Sequence, residues 1–441
     1  MTYKWTEKYG DPKWFIDSKL GMFIHFGLYS LAARHEWVMT LEEIEAKNYQ
    51  KYFENFNPDL FDPKALAQIA KKSGMKYIVF TTKHHDGFAM WDSKYTDYKV
   101  TKTPYKKDIL KEVVDAFREE GIKIGLYYSL IDWNHKDFTI DGYHPERSRV
   151  NFELEEKKDM KNYQQYIKNQ VEELLTNYGT IDYLWFDFSY KSKTWGDLKG
   201  KGKDDWDSEN LEKLILGLQP NVIINDRLDL KRGVGTHEQY QRSKSNSEEI
   251  VIWEGCQTLN GSWGYHRDND NFKTPEMIVK MLIDTVSNNG NLLLNIGPNG
   301  RGEIDNKSLE ILEKIGEWMR LHSSSLYGAK GSELSPPQDC RYTVKGNKLY
   351  VHIFSWPYRT LTLKDISKGI KYAQFLNDYS ELKVIEAKTL NEDRKAETNL
   401  DNELKVLHIK DKLDLKTVII EIPVKKPDVL VPVIEIIFEE E

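Results

Sequence analysis

Short runs of apolar residues alternate with longer amphipathic segments through the first three quarters of the chain. A short, nearly continuous apolar run is typical of a buried strand in a parallel sheet, and the segments between these runs have the period of helices. The alternation favours parallel strands joined by crossover helices, which is an α/β architecture. The predicted strands are Gly21–Gly27, Tyr77–Lys83, Ile122–Leu130, Ile181–Phe188, Val222–Arg227, Ile250–Cys256 and Asn291–Gly297, and the predicted helices include Pro63–Ser73, Lys107–Glu120, Leu154–Asn177, Ser208–Gly217, Pro275–Asn288 and Asp305–His322.

These seven strands are one fewer than a complete eight-stranded barrel contains. We therefore predict a (β/α)8-like barrel, and an open doubly wound sheet is the alternative. In a barrel of this kind, the side chains that act on a substrate lie at the carboxyl ends of the strands. Candidate functional residues are therefore sought at the ends of the predicted strands.

The pattern changes near Leu334, where the segment Ser335–Asp339 carries two consecutive prolines. Short strands with alternating polarity follow, which is typical of an antiparallel sheet with one solvated face. We predict a barrel domain over residues 1–334 and a C-terminal antiparallel β-sandwich over residues 335–441. The predicted strands of the sandwich include Lys348–Phe354, Thr360–Leu363, Lys405–Ile409 and Thr417–Ile422.

Composition limits the kinds of partner that the chain can have. Its 441 residues have a net charge of −7 and no long basic block, which disfavours nucleic acid and anionic membrane surfaces. Aromatic residues reach 12%, which suits either a large core or stacking against sugar rings. A neutral small-molecule substrate and a homo-oligomer are both compatible with this balance.

The two cysteines, Cys256 and Cys340, lie far apart in the sequence. Two cysteines do not make a disulfide framework, and a reducing compartment is the simpler interpretation. The first residues show no apolar stretch resembling a signal peptide, and no apolar run reaches the length of a membrane span. We therefore expect a cytoplasmic protein.

Polar and aromatic side chains collect at the ends of all seven predicted strands. One such coincidence would be weak support for a site, but a barrel would bring all of these residues to one mouth. In chain order they are His25; His84 and His85; Tyr127; Trp185 and Asp187; Asn225, Asp226 and Arg227; Glu254; and Asn295.

Asp187 is the second-to-last residue of the run Ile181–Phe188, which is otherwise rich in apolar and aromatic residues. An ionised carboxylate at the end of a buried strand is costly unless it is paired or has a function. The alternative is a structural aspartate that caps the next loop or helix. The other strand ends favour a catalytic role.

The adjacent pair His84 and His85 raises the question of a metal. Neighbouring residues of a strand point to opposite faces, so the pair does not easily chelate one ion. An imidazole can donate from one nitrogen and accept at the other, which suits a sugar hydroxyl. The glycine-rich segments match neither a phosphate loop nor a dinucleotide fingerprint. We therefore predict hydrogen bonds to substrate for at least one of the pair, no metal and no cofactor.

Retaining glycoside hydrolysis needs two carboxyl groups, one as nucleophile and one as acid/base. Asp187 is the candidate nucleophile, and Glu238 and Glu254 compete for the second role. We expect Glu238 in a polar loop after the fifth predicted strand, where a partly solvated group can donate and then accept a proton. Glu254 at a strand end better suits a residue that anchors the pocket. Asp226 is expected in a structural ion pair, and Arg227 is expected to reach the pocket.

Seven segments together are similar to a known family. In order from about Trp14 to Tyr327, the chain resembles the α-L-fucosidases of glycoside hydrolase family 29. The segments that carry this resemblance are Gly21–Ser30, Glu36-Trp37, Thr81–Phe88, Leu184–Asp187, Asn225–Arg227, Ser262–Tyr265 and Gly290–Pro298.

The resemblance implies a retaining exo-enzyme that removes terminal α-linked L-fucose from a glycan or small fucoside without a cofactor. It implies that Asp187 is the nucleophile, and the spacing of Glu238 and that of Glu254 each fit an acid/base position in part of the family. We predict Glu238 as the acid/base. Residues implied to hold the sugar are His25, Glu36, Trp37, His84, His85, Tyr127 and Arg227, with Trp263 beside the fucose methyl group; the strand-end residues Trp185 and Glu254 complete the predicted set.

Three alternatives stay open from the sequence. The first is a non-catalytic fucose-binding protein, although an intact Asp187 with two candidate acid partners argues against a pure binder. The second is a glycosidase for a related sugar such as an L-galactoside, and the third is transfer of fucose to a sugar acceptor. The lysine-rich segment 191–205 is unusually long for the family. We expect it to be a solvated surface loop, and linkage preference is not carried over.

Overall fold

An eight-stranded parallel sheet dominates the first part of the chain in the computed structural model, which describes residues 5–239, 252–387 and 414–440. Two further short strands, β5 and β6, pair only with each other as a hairpin. The strands of this part are β1 (Leu20–Ile24), β2 (Tyr77–Lys83), β3 (Lys123–Ser129), β4 (Tyr183–Asp187), β5 (Thr194–Trp195), β6 (Leu198–Lys199), β7 (Ile223–Ile224), β8 (Gly235–Glu238), β9 (Trp253–Thr258) and β10 (Asn291–Ile296).

The large sheet has the strand order β7-β4-β3-β2-β1-β10-β9-β8. Apart from the hairpin strands β5 and β6, strands that follow each other in the chain are neighbours in the sheet, and β7 and β8 form its two edges. Its two edges meet in a parallel bridge between Asn225 and Val234. The Val234 N–H donates to the Ile224 carbonyl at 3.0 Å, and the Asp226 N–H donates to the Val234 carbonyl at 3.0 Å. The bridge closes the sheet, which confirms the predicted (β/α)8-like barrel and excludes the open sheet.

The eighth strand, β8, corrects the expectation that Glu238 lies in a loop. Glu238 is the last residue of β8 and is in register with Cys256 of β9. The pattern Gly-Thr-His-Glu carries no aliphatic side chain, so it gives no hydrophobic signal of a strand. Thr236 and Glu238 are two residues apart on one face of the strand, and both contact Arg227.

Helices connect most of the barrel strands, and none of those that the structure describes is long and apolar enough to cross a bilayer. Several present an apolar face and begin at an aspartate. The helices are α1 (Lys13–Ser18), α2 (Tyr29–Ala32), α3 (Val38–Leu41), α4 (Ala46–Glu54), α5 (Pro63–Lys72), α6 (Ile109–Glu119), α7 (Phe152–Glu155), α8 (Met160–Asn177), α9 (Lys203–Trp206), α10 (Ser208–Leu218), α11 (Pro275–Ser287) and α12 (Asn306–His322).

Caps explain where several of these helices begin. Asp62 accepts hydrogen bonds from two backbone N–H groups of α5, and Asp108 accepts one from α6. The predicted helix Leu154–Asn177 is two helices, because Asp159 caps a new start at α8 by accepting from the Lys161 N–H at 2.9 Å. A capping aspartate satisfies a backbone donor that has no partner within the helix, so it fixes the helix start.

Aromatic rings fill much of the barrel interior. Phe23 of β1 lies 5.2 Å from the ring of Trp185 on β4, and Tyr127 of β3 stacks on Trp185 at 5.5 Å. Tyr77 and Tyr183, at the starts of β2 and β4, belong to the same buried cluster. A packed interior of this kind leaves the polar chemistry to the carboxyl ends of the strands.

The chain divides into two compact units, residues 1–274 with 290–316 and residues 275–289 with 317–441. In the second unit, a five-stranded and a three-stranded antiparallel sheet share one apolar core, which confirms the predicted β-sandwich. The predicted strand Lys405–Ile409 lies outside the described residues, and the domain boundary at residue 334 stays a prediction. The strands are β11 (Lys330–Gly331), β12 (Cys340–Lys345), β13 (Lys348–Ile353), β14 (Thr360–Leu363), β15 (Ile370–Phe375), β16 (Val384–Glu386), β17 (Val418–Glu421) and β18 (Val433–Phe438).

Candidate active site

Asp187 is the last residue of β4, so its carboxylate stands at the mouth of the barrel. It accepts a hydrogen bond from the Tyr127 hydroxyl at 2.8 Å and one from Arg227 Nη1 at 3.1 Å. The Phe188 N–H also donates to it at 2.9 Å, and Phe188 has a φ of 73°, which is rare for a residue with a side chain. A local backbone of this kind persists only where its surroundings hold it, and functional sites collect such residues.

Arg227 connects the two predicted catalytic carboxylates. Its Nη1 donates to Asp187, its Nη2 donates to Glu238, and its Nε donates to the Thr236 hydroxyl at 2.7 Å. Thr236 in turn donates to Asp226 at 2.8 Å. Thr236 was missed from the sequence because its role depends on the closure between β7 and β8, which no local pattern indicates.

The two carboxylates differ in environment. The Asp187 side chain is 11% exposed and that of Glu238 is 36% exposed. Burial raises the pKa of Asp187, the positive charge of Arg227 opposes that shift, and the negative charge of Glu238 adds to it. The site therefore holds one shielded carboxyl group and one that solvent reaches.

His25 has a fixed tautomer. The amide nitrogen of Asn295 donates to the Trp263 carbonyl at 2.7 Å, which leaves the amide oxygen to accept from His25 Nδ1 at 2.6 Å. Burial lowers the pKa of His25 to about 3, so the ring is neutral. Its proton is on Nδ1 and its Nε2 carries a lone pair. Asn295 stood among the strand-end residues of the sequence, but its role needed the fold.

His85 is fixed in a similar way. The Ser129 hydroxyl donates to the Ile131 carbonyl at 2.7 Å, so it accepts from His85 Nδ1 at 2.7 Å. Burial lowers the pKa of His85, which keeps the ring neutral. The lone pair is then on Nε2, which lies 3.8 Å from a carboxylate oxygen of Asp187. A hydroxyl placed here has one proton, which it can donate to either of these two acceptors.

His84 lies against His85, with ring centroids 4.0 Å apart. The expectation that the two rings point to opposite faces is wrong, because β2 ends at Lys83 and both residues follow it. His84 is buried, and its Nδ1 has no hydrogen-bond partner among the described residues. The described residues contain no group of three or more His, Cys, Asp or Glu arranged to hold a metal.

Glu36 and Trp37 approach from the loop after β1. One oxygen of Glu36 accepts from the backbone N–H groups of Trp263 at 3.1 Å and Gly264 at 2.8 Å. Its other oxygen is buried and lies 3.3 Å from His35 Nδ1, but it has no hydrogen bond to any residue that the structure describes. Burial raises the pKa of Glu36 to about 7. The Trp37 ring lies 5.0 Å from that of His85.

Glu254 and Trp185 lie deeper in the barrel than the residues of the mouth. Glu254 is fully buried and accepts from Trp185 Nε1 at 2.7 Å, from the Tyr183 hydroxyl at 2.7 Å and from the Tyr77 hydroxyl at 2.9 Å. Tyr77 and Tyr183 are the first residues of their strands, so this cluster lies toward the amino ends of the barrel strands. The structure therefore does not bring Glu254 to the mouth with Asp187.

The other predicted residues do come together. Hydrogen bonds and ring contacts connect them in a continuous series that starts at Asp187, and Trp263 and Glu36 join this series through His25. The residues of this mouth are His25, Glu36, Trp37, His84, His85, Tyr127, Asp187, Arg227, Glu238 and Trp263.

A barrel mouth with two carboxylates on one arginine, surrounded by neutral imidazoles and aromatic rings, is suited to glycoside hydrolysis. Residues 1–324 match the family model described as alpha-L-fucosidase. The chain belongs to the α-L-fucosidase family and is a glycoside hydrolase, as its motifs predicted.

Individual relatives agree with this membership. The plasma α-L-fucosidase of Homo sapiens is 31% identical over 384 residues, covering 78% of this chain and 76% of that protein. The structure of α-L-fucosidase isoenzyme 1 from Paenibacillus thiaminolyticus is similar with a TM-score of 0.86 and 41% identity, over 97% of this chain and 99% of that chain. A trapped covalent intermediate of a Bacteroides thetaiotaomicron family 29 α-L-fucosidase with 2-fluoro-fucosyl fluoride has a TM-score of 0.81 and 27% identity, over 99% of each chain.

Proposed function

We propose that the protein is a retaining exo-α-L-fucosidase that hydrolyses terminal α-L-fucose by double displacement. The observation that carries the proposal is the sharing of Arg227 between Asp187 and Glu238. One guanidinium keeps the two carboxyl groups close together. Retaining enzymes hold their carboxyl groups about 5–5.5 Å apart, whereas inverting enzymes need about 6.5–9.5 Å to admit a water molecule.

In the first step, Asp187 attacks the anomeric carbon while Glu238 gives its proton to the departing glycosidic oxygen. The bond from carbon to that oxygen breaks, and an ester between fucose and Asp187 forms. In the second step, Glu238 takes a proton from water, whose oxygen attacks the same carbon and releases Asp187. Exposure to solvent suits Glu238 to this exchange, and shielding suits Asp187 to a covalent role.

Glu238 must carry a proton when the glycosidic bond breaks. A protonated carboxyl group has no charge with which to pair with Arg227, so the Glu238–Arg227 ion pair must weaken before this step. We propose that the sugar hydroxyls take over the donors of Arg227 on binding. The enzyme thereby couples substrate entry to release of its acid.

Unsatisfied polar atoms support a substrate rich in hydroxyl groups. Within the described part of the chain, His84 Nδ1 and one oxygen of Glu36 are buried without hydrogen bonds, and such atoms are uncommon in folded proteins. His25 and His85 each present a lone pair on Nε2, because Nδ1 carries the proton in both rings. We propose that fucose hydroxyls donate to these lone pairs and complete the hydrogen bonding of the site.

Fucose also carries a methyl group at C5, which needs an apolar contact. Trp263 is partly buried, with its ring 5.3 Å from that of His25 and 5.8 Å from that of Phe23. We propose that this indole is the apolar wall beside the methyl group. A polar pocket with one apolar wall would favour a 6-deoxy sugar over an L-galactoside.

The stereochemistry of the product tests the mechanism. Hydrolysis of 4-nitrophenyl α-L-fucoside would be followed by proton NMR from the first turnovers. We expect α-L-fucose to form first and the β-anomer to appear only by mutarotation. Initial formation of the β-anomer would show inversion, and absence of any fucose release would contradict the activity itself.

A further inference from the structure

The lysine-rich segment after β4 is mostly exposed, as expected of a solvated surface segment, but it forms a hairpin instead of an irregular loop. Thr194 pairs with Lys199 and Trp195 pairs with Leu198, across a turn in which Gly196 has a φ of 63°. The positive φ is one that glycine adopts without steric cost. The segment therefore has a definite position at the mouth of the barrel.

A buried ion pair fixes the base of the hairpin. Asp141 is fully buried and accepts from Lys201 Nζ at 2.8 Å and from the Tyr190 hydroxyl at 2.6 Å. Lys201 also donates to the Thr139 carbonyl at 2.8 Å. Because breaking a buried pair leaves an uncompensated charge, these contacts hold the hairpin against the loop after β3.

The hairpin packs its tryptophan flat on a glycine of that loop. A Cβ atom at Gly142 would lie 2.0 Å from Cδ2 of Trp195, so no other residue fits there without movement. The Trp195 ring lies 4.9 Å from that of Tyr143 at an interplanar angle of 70°. Lys193 donates to the Tyr143 hydroxyl, and its ammonium group lies 5.1 Å from the centre of that ring.

Tyr143 continues this contact toward the catalytic carboxylate. Its ring lies 5.5 Å from Trp37 and 5.2 Å from Phe188, the residue that follows Asp187. Trp195, Tyr143, Trp37 and Phe188, here termed the aromatic rim, are all partly exposed. The aromatic rim therefore extends as a continuous series of ring contacts from Phe188, beside the proposed nucleophile, to Trp195 in the hairpin.

We propose that the aromatic rim, with Lys193, binds the leaving-group sugar of an oligosaccharide, a hexopyranose directly linked to the fucose. This inference rests on the proposed function, because it assigns the far side of the bond that Asp187 and Glu238 would cleave. A pyranose has an apolar face of C–H groups that fits a partly exposed indole or phenol ring. Its equatorial hydroxyls can accept from the exposed ammonium of Lys193.

The test compares substrates with and without a leaving-group sugar. α-L-Fucosyl fluoride has no sugar in its leaving group. Two trisaccharides, each made of lactose with one α-L-fucose on either the galactose or the glucose, have lactose as the leaving group. For each enzyme form, kcat/KM would be measured for the fluoride and both trisaccharides. We expect Trp195→Ala to lower the trisaccharide-to-fluoride ratio about tenfold for the better trisaccharide.

Three further variants separate binding from folding. Gly142→Ala removes none of the side chains proposed to contact the sugar, but its Cβ would displace Trp195, so the ratio should fall in the same direction. Lys199→Ala, on the opposite strand of the hairpin from Lys193, is the matched control, and its ratio should stay within about twofold of the parent. The trisaccharide-to-fluoride ratio of Lys193→Ala should lie between those of Trp195→Ala and Lys199→Ala.

Each outcome has a definite meaning. If Trp195→Ala lowers kcat/KM equally for all three substrates, the hairpin only supports the fold and the inference is wrong. The same conclusion follows if the parent cleaves the fluoride and neither trisaccharide. A parent that does not cleave the fluoride would instead contradict the proposed function.

Discussion

Two buried carboxylates of the same barrel, Asp187 and Glu254, differ in what occupies their oxygens. Burial raises the pKa of both. Glu254 accepts hydrogen bonds from two tyrosine hydroxyls and an indole N–H, all uncharged and all part of the packed interior. Asp187 contacts a guanidinium that it shares with a second, half-exposed carboxylate, and it faces the lone pair of an imidazole.

This comparison shows that burial and a raised pKa do not by themselves identify a catalytic group. Both residues meet those criteria, and both stand on strands of the sheet. Glu254 is bonded to the first residues of β2 and β4, whereas Asp187 is the last residue of β4. The position along the strand and the charge of the hydrogen-bond donors distinguish Asp187, the proposed nucleophile, from Glu254, which we propose to be structural.

The largest expected effect follows removal of the carboxylate at the mouth. Asp187→Ala deletes the proposed nucleophile, so kcat for 4-nitrophenyl α-L-fucoside should fall at least about ten-thousandfold. Arg227 would still pair with Glu238, so the variant should fold. Thermal unfolding close to that of the parent would confirm the fold, and substantial residual turnover would assign the nucleophile elsewhere.

Removal of the second carboxylate at the mouth should depend on the leaving group. Glu238→Ala should lower kcat/KM about a thousandfold for fucosylated oligosaccharides, whose alkoxide leaving groups need a proton, and much less for aryl fucosides. Azide should restore part of the aryl fucoside turnover and give fucosyl azide. Glu254→Ala is the matched comparison, and azide rescue in that variant instead would reverse the assignment.

Removal of Glu254, the carboxylate deep in the barrel, should lower the stability of the folded protein. Glu254→Ala leaves three buried donors without an acceptor, which should lower the free energy of unfolding by about 3 kcal/mol or more. Urea unfolding at constant pH measures this change. A stable Glu254→Ala enzyme with its turnover abolished would show that the deep carboxylate does chemistry after all.

A smaller effect is expected in how the free energy of unfolding depends on pH. Burial raises the pKa of Glu254 from the usual 4.5 to about 7, so the folded chain holds a proton that the unfolded chain has released between these values. The contribution of Glu254 is therefore complete below about pH 4.5 and is lost as the pH rises to about 7, by at most about 3 kcal/mol.

The variant Glu254→Gln cannot titrate at this position. Its unfolding free energy should therefore fall less steeply than that of the parent between about pH 4.5 and 7.5. Urea unfolding across this range compares the two slopes. Parallel curves would mean that the carboxyl group does not hold its proton in the folded protein.

The sequence predicted much of the barrel because apolar strands and capped helices are local patterns. Tyr77–Lys83 was predicted with the bounds that the structure gives to β2. The strand β8 was not predicted, because its side chains are polar and serve Arg227 instead of the core. A strand whose inward face is functional does not have the hydrophobic signal by which strands are recognised.

The sequence predicted which residues at the strand ends form the site. It did not predict the hydrogen bonds that connect these residues. That Arg227 joins Asp187 to Glu238 depends on side chains from β4, from the segment after β7 and from β8 meeting across the closed sheet. The tautomers of His25 and His85 depend on Asn295 and Ser129, whose own hydrogen bonds are set by the fold. The contact of Trp195 with Gly142 joins two loops more than fifty residues apart in sequence. Contacts of this range leave no pattern in a single sequence.

Trapping of the covalent intermediate tests the central claim most directly. The protein would be incubated with 2-deoxy-2-fluoro-α-L-fucosyl fluoride, digested with pepsin and examined by tandem mass spectrometry. We predict one equivalent of fluorofucosyl label per chain, attached to Asp187 and absent from Asp187→Ala. Label on Glu238 or Glu254, or hydrolysis of the reagent by the Asp187→Ala variant, would contradict the account.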